Sequence, residues 1–566
     1  MSPEQVRASD ADARSDLFSL GAVGYERLSG RMAFGRETNV ETLSAILGES
    51  PPLIEEERGR PGNLTRLTRL TRLMQLVRQC LEKSPEDRFQ SARALVVELE
   101  GVVASPKPAK KSIAILPFTN MSPDPENEYF SDGMSEEIIN ALSQLEGLRV
   151  AARSSSFAFK NQLVDIADVG AKLKVDAVLE GSVRKAGNKL RITAQLINIA
   201  DGYHLWSERY DRDMGDIFGI QDEIATMIVE RLKVILVQKD EPLVKPPTQN
   251  LDAYHLYLRG RFFWNRRELQ PALECFEKAV SLDPDFALAH TGVADANAIL
   301  GFGYGGDPRV VVPKGKKAAE RALELDDTLA EAHYSLAYFK FVYERDWAAA
   351  AGAFRKTIAL NPKHVAAHYM YGFYLLLVED RGVEAIEEAR QAVAIDPLDG
   401  HATGMLCLML WLERRSREAI RLLETAIERE PTYFFLQRCL GLAYTAESNY
   451  PQAIAALEQA AVLSRRDVVV LMELAWVQVL SGNPGEAEAI LEELLARSAQ
   501  QYVNPSCMAF IQGALGRSTE ALALFERAYD EGDPVLVATR IWQRVLDSPL
   551  TKDPRWDALL RRIGWE

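Results

Sequence analysis

The second half of the chain repeats itself at a nearly constant interval. The segments ALECFEKAVSLDP (272–284), AAGAFRKTIALNP (350–362), AIEEARQAVAIDP (385–397) and AIRLLETAIEREP (419–431) share one pattern, and Pro362, Pro397 and Pro431 fall 35 and 34 residues apart. Between them lie partner helices such as LAEAHYSLAYFKFVY (329–343) and HVAAHYMYGFYLLLV (364–378). Ala and Gly let paired helices approach closely, large residues fill the gaps, and each Pro ends one unit and opens the next. A unit this short cannot bury a core alone, so units must stack on their neighbours. The pattern predicts about eight units over 253–530, some degenerate, closed by a capping helix in DPRWDALLRRIGWE (553–566) that covers the last stacking face.

That interval is similar to the tetratricopeptide (TPR) repeat, which implies an all-α solenoid with a concave groove for proteins or peptides. Within it, Arg259, Arg261, Arg266 and Arg267 on the first repeat are candidates to clamp a partner's acidic tail, weighed against a solvated helix face. Tyr334, Tyr338, Phe341, Tyr369, Phe373 and Tyr374 read as core and groove lining. His290, His333 and His368 recur as Ala-His on first helices, a packing position rather than a metal site. GFGYGG (301–306) matches G-x-G-x-x-G but lacks the strand that a nucleotide loop needs before it, so GFGYGGDPRVVVPKG (301–315) reads as a lengthened turn.

The start of the chain has a different character. DLFSLGAVGYERLSG (16–30) is apolar almost all round, with Asp16 placed where a carboxylate accepts orphan N–H groups, and LMQLVRQCLEKSPEDRFQSARALVVELEGV (73–102) reads as two helices split at SPEDR. MSPEQ, D-x-R-SDLFSLG, Y-E-x-L-S-G-R-x-A-F and CLEKSPEDRFQSA together resemble the end of the C-terminal lobe of a bacterial Ser/Thr protein kinase, over residues 1–101. The resemblance implies that Glu4 pairs with a buried Arg88 and that Asp16 tethers a catalytic loop from beneath. The family's Gly-rich cover, phosphate Lys, base Asp and Mg-binding Asp all lie before this segment, so no catalytic residue is expected in these 566 positions. ATP and Mg²⁺ would enter only with that other half. Two readings stand: a misplaced gene start, or a remnant kept for interaction. Either leaves apolar surface on the central helix through which copies could self-associate. NLTRLTRLTRL (63–73) steps Leu every third residue and makes a poor helical stripe, as a slipped DNA repeat would.

After a polar linker (102–111) the period changes. SIAILPF (112–118) and LRVAA (148–152) read as strands, SEEIINALSQL (135–145), DIADVGAKLKV (165–175) and IFGIQDEIATMIVERLKVIL (217–236) as helices, and 176–210 as strands turning at AGN and ADG. This is a small α/β domain over 112–240. ILPF-x-N, EYFSDGMSEEI, VAARSSSFAFK, LEGSVR, ITAQLI and HLWSERYDR resemble the TolB amino-terminal-like domain of bacterial signalling proteins, which implies no chemistry. Ser154, Ser155 and Ser156 lack a nucleophile elbow, and Asp132, Glu136 and Glu137 are explained by a helix N-terminus. A second linker (241–252) leads into the solenoid, 253–566.

A net charge of −15 and a pI near 5.2 argue against nucleic-acid binding and against a transcription regulator, which needs a basic face. Cys80, Cys275, Cys407, Cys439 and Cys507 are odd in number, scattered and without metal-ligand spacing, so they read as buried residues of a reducing compartment. No leader is expected, and the longest apolar runs, such as GMLCLMLWL (404–412), are too short to span a bilayer. The expectation is a multidomain cytoplasmic signalling scaffold with no cofactor or metal. The alternative is a Ser/Thr kinase whose catalytic half is missing.

Overall fold

The structure is a computed structural model. It describes residues 1–52, 64–103, 111–145, 147–162, 165–232, 243, 246–302, 304–546 and 548–565, without the side chains of 64–71, 97 and 100–103. The chain forms two compact units, Met1–Lys110 and Lys111–Glu566, so the α/β module and the repeats share one unit where the sequence suggests separate bodies. Of the two expected linkers, 102–111 falls largely outside the described residues, whereas most of 241–252 is described and its last residues, Leu251 and Asp252, already open the first solenoid helix.

The first unit is helical: Ala13–Ser29, Asn39–Gly48, Leu64–Cys80 and Ala92–Val103, with one 3-10 turn at Pro85–Asp87. Its central helix starts earlier than its apolar run suggests. Asp12, not Asp16, is the N-cap and accepts from Arg14 N at 2.8 Å, while Asp16 lies in the first turn and is exposed. Leu17, Phe18 and Tyr25 are buried, whereas Leu20 and Val23 of the same helix are more than half exposed. Gly21 is required by packing: a Cβ there would sit 2.6 Å from the Cys80 Cβ, so the two long helices touch through it. The LTR triplets lie in the Leu64–Cys80 helix.

In the second unit a six-stranded mixed sheet comes first: β1 (Lys111–Ile115), β2 (Thr119–Asn120), β3 (Leu148–Val150), β4 (Ala177–Ala186), β5 (Lys189–Asn198) and β6 (His204–Asp213). The order is β3-β1-β4-β5-β6, with β2 also on β4. The β1 pairs are parallel (Ile113 opposite Val150 and Ala177), and β4-β5-β6 is an antiparallel meander. Continuous burial in β1 and alternation in β5 follow from these places, since a central parallel strand is covered on both faces and a meander strand on one. Edge strand β6 is HLWSERYDRD, whose charges discourage further pairing. Gly187 (φ 59°) turns β4 into β5.

The helices of this module are Glu128–Ser143, Arg153–Phe157, Ile166–Leu173 and Ile217–Leu232. The first begins seven residues before the expected Ser135. Ser135 is buried mid-helix, where its hydroxyl donates to Ser131 O (3.3 Å) and accepts from Phe118 N (2.8 Å). Nothing in the hydrophobic pattern marks the short Arg153–Phe157 turn, which follows the expected strand 148–152, itself observed only over Leu148–Val150.

From Leu251 to Asp530 the described residues form eight antiparallel helical pairs, followed by the capping helix Pro554–Ile563. The long turn between Leu300 and Pro308 is shorter than the sequence suggests: VVVPKG lies inside the helix Pro308–Leu325, Pro308 opening it and Pro313 within it. GFGYGG sits in that turn, apart from Gly303, which lies outside the described residues. The recurrent histidines are structural. His290, His333 and His368 each place Nε2 within 3.0 Å of the carbonyl six residues back, on the preceding turn.

The solenoid closes on itself. Trp565 stacks on Trp347 of the third pair with ring centroids 4.5 Å apart, and Trp347 Nε1 donates to Gly564 O at 3.0 Å. Arg544 pairs with Asp380, and Arg345 lies over the Tyr529 ring at 5.3 Å. The third helix-pair meets the C-terminal segment Pro534–Ala538 at a π-helical stretch, Phe339–Glu344. One apolar cluster runs without a break from Ile113 to Trp565. All five cysteines are buried and free.

Candidate functional site

Closing the ring encloses a cavity of about 1570 Å³, walled by the first helices of successive pairs and roofed by the α/β module. The repeat period sets its lining. Each first helix turns one stripe at i, i+3 or i+4 inward: Tyr334 and Tyr338, Tyr369 and Phe373, His401 with Met405 and Leu408, Phe435 with Arg438, Met472 with Trp476. Of the six predicted aromatic positions, five line the cavity, and Tyr374 is buried behind them.

The roof is held by buried polar contacts. Glu136 accepts from Arg153 Nε (2.8 Å) and from Arg261 Nε and Nη2 (3.1 and 2.6 Å). Burial pushes its carboxyl up, but the two guanidinium groups outweigh this and hold it down at about 2. Ser154 and Ser155 both donate to Asp396, the latter at 2.5 Å, and Leu398 N donates to Ser155 Oγ at 3.3 Å. The helix Glu128–Ser143 also packs on Leu251–Asn265, with Gly133 facing the Leu258 side chain and Phe130 edge-on to His255 at 5.6 Å.

These contacts revise two expectations. Asp132, Glu136 and Glu137 lie within a helix rather than at its N-terminus: Lys160 Nζ meets Asp132 at 2.6 Å, and Glu136 is a tie between module and repeats. Of the three serines, Ser154 and Ser155 are latch groups against the turn between the fourth and fifth pairs, and Ser156 is buried beside them. Sequence reasoning missed this because Asp396 belongs to the recurring Asp/Asn-Pro turn and carries no mark of its own.

The four candidate arginines separate. Arg261 is spent on Glu136. Arg266 pairs with Glu268 at 2.8 Å, and Arg259 lies over the Phe263 ring at 5.7 Å. Arg267 alone of the four projects into the cavity without a bonded partner among the described residues. It faces Tyr433, Tyr369, Tyr304 and Asp399. Burial raises all three phenols above their ordinary range, Tyr304 to about 12, so they stay protonated and neutral at pH 7. Elsewhere in the lining, burial pushes Glu137 and Asp295 up to about 7, reinforced at Glu137 by Glu136 and at both by Glu331. Among the described residues no group of three or more His, Cys, Asp or Glu side chains comes together to hold a metal ion, and no helix is long and apolar enough to cross a membrane.

In the first unit Glu4 and Arg88 form a buried bidentate pair at 2.8 and 2.9 Å. Ser15 Oγ adds a bond to Glu4 at 2.6 Å, and the Arg88 hydrogen bond is the main cause holding the Glu4 carboxyl far below its usual range. Arg88 spends its remaining donors on the carbonyls of Arg14, Glu82 and Lys83. Asp16 stands apart from this cluster, exposed.

Tetratricopeptide family models match residues 256–286, 341–400 and 444–504, and the model of the HilA/YgeH-like transcriptional regulator, second domain, matches 109–227. Among curated proteins, "Putative adenylate cyclase 3" of Rhizobium meliloti (strain 1021) is 39% identical over 263 residues, 45% of this chain and 43% of that protein. Serine/threonine-protein kinase pkn3 of Myxococcus xanthus is 35% identical over 102 residues, 18% of each. Of solved structures, the tetratricopeptide protein TTC0263 of Thermus thermophilus is 16% identical, covering 34% of this chain and 99% of that one, with a TM-score of 0.30. The chain thus spans less than half the length of these curated relatives, and it carries tetratricopeptide repeats, which imply a protein-binding scaffold.

Proposed function

We propose that this protein is a cytoplasmic bacterial signalling scaffold that takes a segment of a partner protein into its repeat ring. The cavity carries this reading. Ligand sites for small molecules run to about 300–1,000 Å³, and this one is about 1570 Å³ with aromatic side chains on successive first helices. In this proposal residues 1–101 are a kinase-lobe segment braced by Glu4 and Arg88, with Asp16 at the face a catalytic loop would occupy. Residues 112–240 are a TolB-like module that reports occupancy of the ring 253–566.

Phosphotransfer to Ser or Thr is the second reading. It is favoured by the Glu4–Arg88 pair and by likeness to proteins named as kinases, and it would need ATP, Mg²⁺ and a catalytic half supplied by further sequence. The test of the first reading uses the full chain with a photo-crosslinking phenylalanine analogue at Phe373, inside the ring, or at exposed Val462. A displayed peptide library should yield defined sequences captured at Phe373 and absent at Val462. Capture at neither position, or equally at both, would sink the proposal.

A further inference from the structure

Six arginines reach the cavity, and five are already engaged. Arg153 and Arg261 hold Glu136, and Arg438 holds Glu473 through two bonds at 2.6 and 2.7 Å. Arg149 and Arg429 donate to the backbone carbonyls of Lys174 and Pro397. Arg267 is the exception: among the described residues its guanidinium makes no hydrogen bond and no ion pair, although it presents five donors. A guanidinium in the cavity lining with no bonded partner among the described residues is free to meet a planar anion with two parallel bonds.

The surroundings specify the rest. Tyr304, Tyr369 and Tyr433 line the cavity with Arg267 as neutral phenols, the Tyr433 hydroxyl already bonded to His401 Nδ1 at 2.7 Å. Asp399 is a carboxylate that acts on it, and its Oδ1 is occupied in capping the next helix, accepting from His401 N (2.8 Å) and Ala402 N (3.3 Å). His401 cannot compete as a base. Burial, then the charges of Arg267 and Arg438, hold it neutral with a pKa of about 3. Its ring stacks on Phe435 at 4.7 Å and meets Tyr369 edge-on at 5.2 Å, which makes an apolar wall next to the charge.

We infer that Arg267 anchors a carboxylate or phosphate on the ligand of this cavity, with an aromatic or apolar body of that ligand lying against the His401–Phe435 wall. The inference rests on the cavity being a binding site, and it names the ligand's chemistry. Acidic side chains of a bound peptide and free small anions share that chemistry.

The test uses two dyes of one ring system on the full chain: 8-anilinonaphthalene-1-sulfonate, an aromatic anion, and N-phenyl-1-naphthylamine, its uncharged counterpart. Arg267 has φ 60°, a left-handed position that Asn tolerates well, so Arg267→Asn removes the cation without adding backbone strain. Hydrogen bonds to a charged group correspond to about ten- to hundredfold in affinity. Arg267→Asn should weaken the anionic dye by that factor and leave the neutral dye unchanged, Arg267→Lys should keep most of the binding, and Arg259→Gln should change nothing. Displacement of the Arg267-dependent signal by an acetylated, amidated glutamate peptide at lower concentration than sodium phosphate or acetate would identify a peptide source, and the reverse order a free anion. Equal affinity of the anionic dye for wild type and Arg267→Asn, equal loss of both dyes, or displacement by none of the competitors would overturn the inference. Failure of both dyes to bind wild type would instead remove the cavity reading beneath it.

Discussion

Arg88→Ala removes the group on which the first unit converges. Five donated bonds disappear: two to Glu4 and one each to the carbonyls of Arg14, Glu82 and Lys83. What remains is a carboxylate only 8% exposed, with the Ser15 hydroxyl and no cation. Breaking a buried pair by removing one partner costs about 3–5 kcal/mol. The total stability of a domain is about 5–15 kcal/mol, so the substitution should bring this unit close to unfolding. Hydrogen exchange on the full chain reads it directly, as loss of amide protection over the Ala13–Ser29 helix. The chain supplies its own control, because all eight tryptophans, Trp206 to Trp565, lie in the second unit and their fluorescence transition in urea should stay where it is. Replacing both partners with apolar residues, Glu4→Leu with Arg88→Met, should recover much of the protection, since no charge is then stranded. Undiminished protection in Arg88→Ala would refute the reasoning.

Asp396→Asn leaves one acceptor oxygen for two serine hydroxyls and should loosen the roof by about 1.5–3 kcal/mol. Exchange should rise over Arg153–Phe157, and an unchanged rate there would count against the latch. Trp565→Ala deletes a side chain only 4% exposed and should cost about 3–5 kcal/mol in the urea transition of the second unit; an unmoved midpoint would mean that the ring closure contributes no stability. The two units should respond oppositely to acid. The folded-state pKa of Glu4 is depressed, so its contribution is complete above the usual carboxylate range and is lost as pH falls below it. Glu137 and Asp295 are raised to about 7, so burying them ionised opposes folding above pH 7, and the second unit should gain stability as pH falls from about 7 toward 4.5. Thermal scans with tryptophan and exchange readouts separate the two, and parallel loss in both would contradict these assignments.

The helical pairs were legible because the solenoid is written locally: Pro362, Pro397 and Pro431 mark the interval, and the aromatic stripes repeat with it. The sheet was legible for the same reason, through alternation in β5 and turns at Gly187 and Gly202. What escaped depends on contacts between distant residues. Ser154 and Asp396 are 242 positions apart, and Trp347 and Trp565 are 218 apart. No periodicity links either pair. Helix starts slipped where capping competes with composition. The apolar run suggests a start at Asp16, whereas the helix is capped four residues earlier by Asp12, whose carboxylate accepts from Arg14 N. Arg267 was named only as one of four, because which arginine keeps its charge unmatched depends on where Glu136 comes to lie.

The tryptophan stack between the third pair and the C-terminus also constrains how such a gene can change length. An open array tolerates gain or loss of a unit at either end, since each unit answers only to its neighbours. Here one unit more or fewer would rotate the terminal helix out of phase with Trp347 and leave two indoles facing water. The number of repeats is therefore a dimension of the fold, held by geometry as firmly as the circumference of a barrel.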